Sequence, residues 1–139
     1  MIIYEGFFIQ NNLTGKLSKD IEFKHVTTEY KPAKTHEHLY GAVARFKVTG
    51  YGNDGINEGL SVALSSIDVS ELGETRGKAS ELYELFQSIE VPHITLSISP
   101  EGKAVNTRFL DFSSQYKDDS TIIGIFGGFN GNKPILEAI

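Results

Sequence analysis

Residues 93–99 read HITLSIS, a strict alternation that sets His93, Thr95, Ser97 and Ser99 on one face of an extended segment and Ile94, Leu96 and Ile98 on the other. Such a strand buries its aliphatic face and leaves hydroxyls and an imidazole for chemistry. Pro92 keeps a helix from running into it, and the turn 100–103 (PEGK) closes it. Upstream, 23–30 (FKHVTTEY) is β-branched and aromatic; extended, it sets His25, Thr27 and Glu29 on one face and Val26, Thr28 and Tyr30 on the other. The tripeptide H-x-T therefore occurs twice, on two predicted strands, and takes up two of the four histidines.

Outward from these motifs, period-2 patterning dominates. An apolar run over 2–9 predicts a central strand, ended by the polar cluster 10–12. Residues 42–48 and 60–67 alternate as two further strands, with the Gly/Asn/Asp turn 50–55 (GYGNDG) between them, and 121–129 predicts a closing strand before a Gly/Asn-rich tail. One segment has a helical period: 79–89 (ASELYELFQSI) brings Leu82, Leu85, Phe86 and Ile89 to one side as a core stripe. A short helix is expected over 104–112. The order of strand, polar tip and His-bearing strand is echoed in each half, which suggests two lobes with their sheets facing each other.

The 139 residues fit a single domain, 1–139, with 40% hydrophobic and 22% charged residues, the composition of a globular protein. Thirteen Lys and Arg against eighteen Asp and Glu leave a net charge of −5, so the basic footprint that grips a long duplex is missing. Any nucleic-acid partner is expected to be small or single-stranded. Without cysteine there are no disulfides, thiolate nucleophiles or zinc knuckles. Neither a secretion signal nor a membrane span is legible, so a soluble, cytoplasmic protein without a membrane partner is expected. The oligomeric state is left open.

On a strand, H-x-T points imidazole and hydroxyl the same way, so each copy offers a titratable base beside a hydrogen-bond donor. Two copies facing each other would clamp a phosphate. Cleaving a phosphodiester needs a proton taken from the nucleophile and one given to the leaving oxygen, and imidazoles near neutrality suit both roles. The threonine hydroxyls would stabilise charge on the non-bridging oxygens, and no metal or other cofactor is then required.

The paired motifs resemble the 2H phosphoesterase superfamily, which includes RNA-ligase-like cyclic phosphodiesterases. The opening 4–8 (YEGFF), 48–60 (VTGYGNDGINEGL) and 92–105 (PHITLSISPEGKAV) are similar to its small, RNA-repair-like branch, so the likeness spans about residues 3–129. The resemblance implies a bilobal antiparallel α+β fold with few helices, its two sheets facing each other across a central cleft. It implies acid and base roles for His25 and His93, with His25 as base by analogy, and phosphate contacts for Thr27 and Thr95. Some phage relatives cleave cyclic oligonucleotide messengers of antiviral defence, and others open 2′,3′-cyclic phosphates at RNA ends. The first motif departs from the pattern, continuing Thr28-Glu29 where relatives usually have an apolar residue after the threonine.

Around this pair, Tyr4 on the first strand is a candidate for stacking on a nucleobase or for packing, Lys103 for meeting a phosphate, and Ser97 and Glu29 for substrate contact. The pattern Gly50-x-Gly52-x-x-Gly55 matches a dinucleotide fingerprint literally, but a strand rather than a helix follows, so it is read as a hairpin turn. His36-Glu37-His38 lacks further ligands at metal spacing and is read as a solvated loop. The expected function is a metal-independent phosphodiesterase acting on a small cyclic nucleotide, a cyclic oligonucleotide or an RNA terminus. A module that sequesters such a ligand without hydrolysis is the alternative, and a structural protein with idle histidines the third.

Overall fold

The computed structural model describes residues 1–116 and 120–137. Its strands are β1 (Tyr4–Ile9), β2 (Lys19–Asp20), β3 (His25–Tyr30), β4 (Val43–Asn53), β5 (Asn57–Asp68), β6 (His93–Ile98), β7 (Ile122–Phe129) and β8 (Pro134–Ile135). One α-helix, α1 (Lys78–Gln87), and 3-10 turns at Glu37–Leu39, Ser70–Leu72 and Ala104–Phe109 complete the described elements. The class is α+β, mostly antiparallel sheet with few helices, and no helix is long and apolar enough to cross a membrane.

The strands join in one hydrogen-bonded path, β2-β6-β5-β4-β7-β1-β3, with β8 beside β7, and every pairing is antiparallel. The path is symmetric about the β4–β7 pair: β7-β1-β3 on one side answers β4-β5-β6 on the other. Each of these three-strand sets therefore ends in a strand bearing H-x-T, with the short β2 lying beyond β6. No ladder pairs β3 with β6, yet the two lie against one another, because the twisted sheet brings its ends together.

The alternating apolar residues of each strand meet in one core. Phe7 packs edge-on to Phe46 and Phe126, with ring centroids 5.3 Å apart in both pairs, and Leu60, Ile94, Leu96 and Ile122 fill in around them. The middle residues of the two motifs, Val26 and Ile94, are fully buried in it. Each such side chain contributes roughly 1.5–3 kcal/mol and fixes which way its neighbours point. The helix stripe packs as its spacing predicts: Leu82 is fully buried, and Phe86 lies 5.9 Å from Phe46.

Two boundaries differ from the sequence reading. The segment 50–53 is strand, pairing Gly50 with Ser61 and Asn53 with Glu58, and the turn shrinks to 54–56. There Asp54 accepts the amides of Ile56 and Asn57, at 2.9 and 2.8 Å. Gly50 is required by close approach, since a Cβ would lie 2.0 Å from the Phe112 carbonyl, and that crossing chain is distant in sequence. The helix expected over 104–112 is the six-residue 3-10 turn at Ala104–Phe109.

Candidate active site

A matched irregularity sits at each motif. On β1, Glu5 pairs with Glu29 and Gly6 with Thr27, which leaves Thr28 as the extra residue of a bulge. On β5, Glu58 pairs with Ser97 and Gly59 with Thr95, which leaves Leu96 as the extra residue. In both halves a Glu-Gly step therefore faces a strand whose extra residue directly follows H-x-T. The glycines let the strands close: a Cβ on Gly6 would lie 2.2 Å from the Val26 carbonyl, and one on Gly59 would lie 2.8 Å from the Ile94 carbonyl.

The bulges decide which side chains share the motif face. Consecutive strand residues point oppositely and cross-strand partners share a face. Thr27 and Thr95 thus share the glycine face, while Glu29 and Ser97 go with Glu5 and Glu58 to the opposite one. Simple alternation had grouped Ser97 with His93, and Glu29 with His25. Ser97 is instead fully buried, donating from Oγ to Glu58 Oε1 at 2.6 Å and accepting the Leu17 amide at 3.0 Å. It supports the site from behind. Glu29 is exposed and closes on Glu5 and His36.

Both imidazoles are held the same way. His25 Nδ1 lies 2.8 Å from the Phe23 carbonyl and His93 Nδ1 lies 2.7 Å from the Val91 carbonyl, each two residues back. A carbonyl oxygen only accepts, so each Nδ1 carries a hydrogen, and in the neutral ring Nε2 keeps its lone pair. Burial pulls both pKa values below the ordinary 6.5, against the opposing pull of the carbonyl bonds. Positive charge on His93 lowers His25 further, and Arg108 lowers His93. The charge of His93 is thus felt at His25 across β3 and β6, which lie against one another.

The threonines differ. Thr27 is half-buried, and its hydroxyl has no partner among the described residues. Thr95 is buried and donates to Thr107 Oγ1 at 2.9 Å, an oxygen that also accepts Asn57 Nδ2 at 2.9 Å. The Thr107 hydroxyl hydrogen is thereby free to be offered elsewhere. Thr107 and Asn57 are residues that motif reading missed, because they join the site only through the 3-10 turn.

Tyr4 stacks on His25, with ring centroids 4.4 Å apart and planes at 26°, and on Phe129 at 5.2 Å. Burial pushes its phenol up to about 12, so it stays protonated. Tyr4 thus walls the imidazole. Lys103 is exposed at the start of the 3-10 turn, where its carbonyl accepts Asn57 Nδ2 at 2.8 Å. The loop reading of 36–38 is corrected for His36, whose amide and Nδ1 both reach the buried Glu5 at 2.7 Å. Tyr40 donates to the same carboxylate at 2.8 Å, and His38 pairs with Glu81 on α1 at 2.9 Å. Among the described residues Glu5, Glu29 and His36 also form the one set whose ligand atoms converge, all within 4.8 Å, as a metal site would need. Both oxygens of Glu5 are already engaged by the His36 amide, His36 Nδ1 and the Tyr40 hydroxyl, which satisfy the buried carboxyl group.

Compared with family models, curated proteins and solved structures, the chain gives no match.

Proposed function

We propose that this chain is a metal-independent phosphodiesterase of the 2H kind, with two lobes whose H-x-T strands face each other across a cleft. Its substrate is a small cyclic nucleotide, a cyclic oligonucleotide or an RNA end carrying a 2′,3′-cyclic phosphate. The observation that carries the reading is the packing of β3 against β6, each bearing H-x-T beside a matched bulge and each imidazole held by the same Nδ1-to-carbonyl bond.

In the proposed reaction, His25 Nε2 takes the proton from the nucleophile as its oxygen bonds to phosphorus, and His93 Nε2–H gives a proton to the leaving oxygen. Water as nucleophile leaves a monoester. A ribose 2′-hydroxyl attacking a 3′–5′ linkage leaves a 2′,3′-cyclic phosphate. The Thr27 and Thr95 hydroxyls contact the non-bridging oxygens, where charge develops, with Thr95 turning from Thr107 to do so. An activity of this kind belongs in the cytoplasm, and cyclic oligonucleotides that signal antiviral defence fall within its substrate class.

The test is product analysis by chromatography after incubation with 2′,3′-cyclic mononucleotides, RNA ends bearing that group, and cyclic di- and trinucleotides, with and without EDTA. Cleavage unaffected by EDTA is expected, and the product identifies the nucleophile. Loss of cleavage on chelation overturns the metal-free mechanism. Intact ligand recovered together with tight calorimetric binding overturns hydrolysis in favour of sequestration.

A further inference from the structure

One feature beside the histidine pair is not used by this chemistry. The 3-10 turn Ala104–Phe109 is pinned to the second motif by Thr107, fully buried and bonded to Thr95 and Asn57. The Asn57 side chain also holds the turn's first carbonyl, that of Lys103. Gly59 allows the approach, since a Cβ there would lie 2.4 Å from Thr107 Cγ2. The next two residues of the turn are a cation and an aromatic ring, and the charge of Arg108 is felt at His93. The Arg108 guanidinium lies 4.7 Å from the centre of the Phe109 ring, which is 71% exposed. No carboxylate pairs with Arg108 among the described residues, although acidic side chains outnumber basic ones in the chain.

We propose that Arg108 and Phe109 form a second subsite for the nucleotide next to the scissile phosphate, Arg108 taking that nucleotide's phosphate and Phe109 its base. The chemistry follows from the groups. A planar guanidinium with its donors unpaired fits two oxygens of a phosphate, and stacking on the ring below fixes its plane. An exposed aromatic face accepts any nucleobase. The other rim of the proposed cleft, around His25, carries Tyr4 and Phe129. The inference rests on the proposed phosphodiesterase reading and narrows it: the preferred substrate has at least two phosphates, whether it is a ring or the end of a strand.

The experiment compares kcat/KM of the wild type, Arg108→Ala, Arg108→Lys and Phe109→Ala on three probes. These are a 2′,3′-cyclic mononucleotide, a linear dinucleotide ending in a 2′,3′-cyclic phosphate, and a 3′–5′ cyclic dinucleotide. On whichever dinucleotide is the substrate, the alanine variants should lose about tenfold or more beyond their loss on the mononucleotide, and Arg108→Lys should recover only part of it. Equal losses on all probes, or none, overturn the subsite. If the wild type cleaves no probe, the phosphodiesterase reading fails, and calorimetry with a phosphorothioate cyclic dinucleotide decides the subsite alone. Weaker binding by Arg108→Ala supports it, and unchanged affinity or no binding overturns it.

Discussion

Glu5 and Glu58 are structural counterparts: each is buried, each precedes the glycine opposite a motif threonine, and each accepts a tyrosine hydroxyl, from Tyr40 and Tyr51 respectively. Glu5 adds the amide and Nδ1 of His36, and Glu58 adds the Lys16 amide and Ser97 Oγ. Each carboxylate thus ties a loop to the strand pair that presents a histidine. A buried acid with three donors fixes a bulge that packing alone would let slip.

Replacing either acid by its amide turns an acceptor into a donor that faces donors. Glu5→Gln and Glu58→Gln should each destabilise the fold by about 1–3 kcal/mol. Urea denaturation of the two variants checks this, and midpoints equal to wild type would remove the anchoring role.

Gly59→Ala should act on geometry more than on folding. Its Cβ would lie 2.4 Å from Thr107 Cγ2 and 2.8 Å from the Ile94 carbonyl, so the 3-10 turn and β6 must both shift. A displacement of about 1 Å costs on the order of 10²-fold in turnover. Turnover at saturating substrate, measured while the variant is still folded, should fall by that order; an unchanged kcat would show that the Glu-Gly step does not set the histidine.

Thr28 is the extra residue of the first bulge, and its hydroxyl is buried without a partner. Thr28→Val removes that hydroxyl at nearly constant volume and puts an apolar residue after the motif. The expected result is a gain of about 1 kcal/mol with turnover retained. A loss of stability would mean that the hydroxyl is satisfied in solution.

The acid limb of the kcat/KM profile reports loss of the neutral base, and the alkaline limb loss of the protonated acid. Both imidazoles are shifted down, so the free enzyme holds its single shared proton only at acidic pH, and the bell should centre below 6.5. Removing the cation of Arg108 lets His93 keep its proton to higher pH, so Arg108→Ala should move the alkaline limb upward. A profile centred well above 7, or an alkaline limb indifferent to Arg108, would contradict the assignment.

Period-2 alternation was enough to find both motif strands and the residues that bury beside each histidine, and the helical period to find the Leu82 stripe, because those depend on near neighbours. The faces of Ser97 and Glu29 were misread because a bulge is a change of register and leaves no gap in the alternation of one strand. Its trace was present in the repeated Glu-Gly of YEGFF and NEGLS, each set within an apolar stretch. Gly50 looked like a turn residue because the chain that crosses it, at Phe112, is far off in sequence. His36 looked solvated because its partner, Glu5, is 31 residues away. Thr107 and Arg108 were invisible for the same reason, lying in a 3-10 turn that has no period to read.

The proposed catalysis requires the two imidazoles to work on one phosphorus centre. Its most direct test is the turnover of a cleaved cyclic nucleotide by His25→Ala, His93→Ala and the double variant. Each single change should lose on the order of 10²–10⁴-fold, and the double should be little slower than the worse single, as for groups acting in one step. Near-normal turnover by either single variant, or losses that simply multiply in the double, would contradict it.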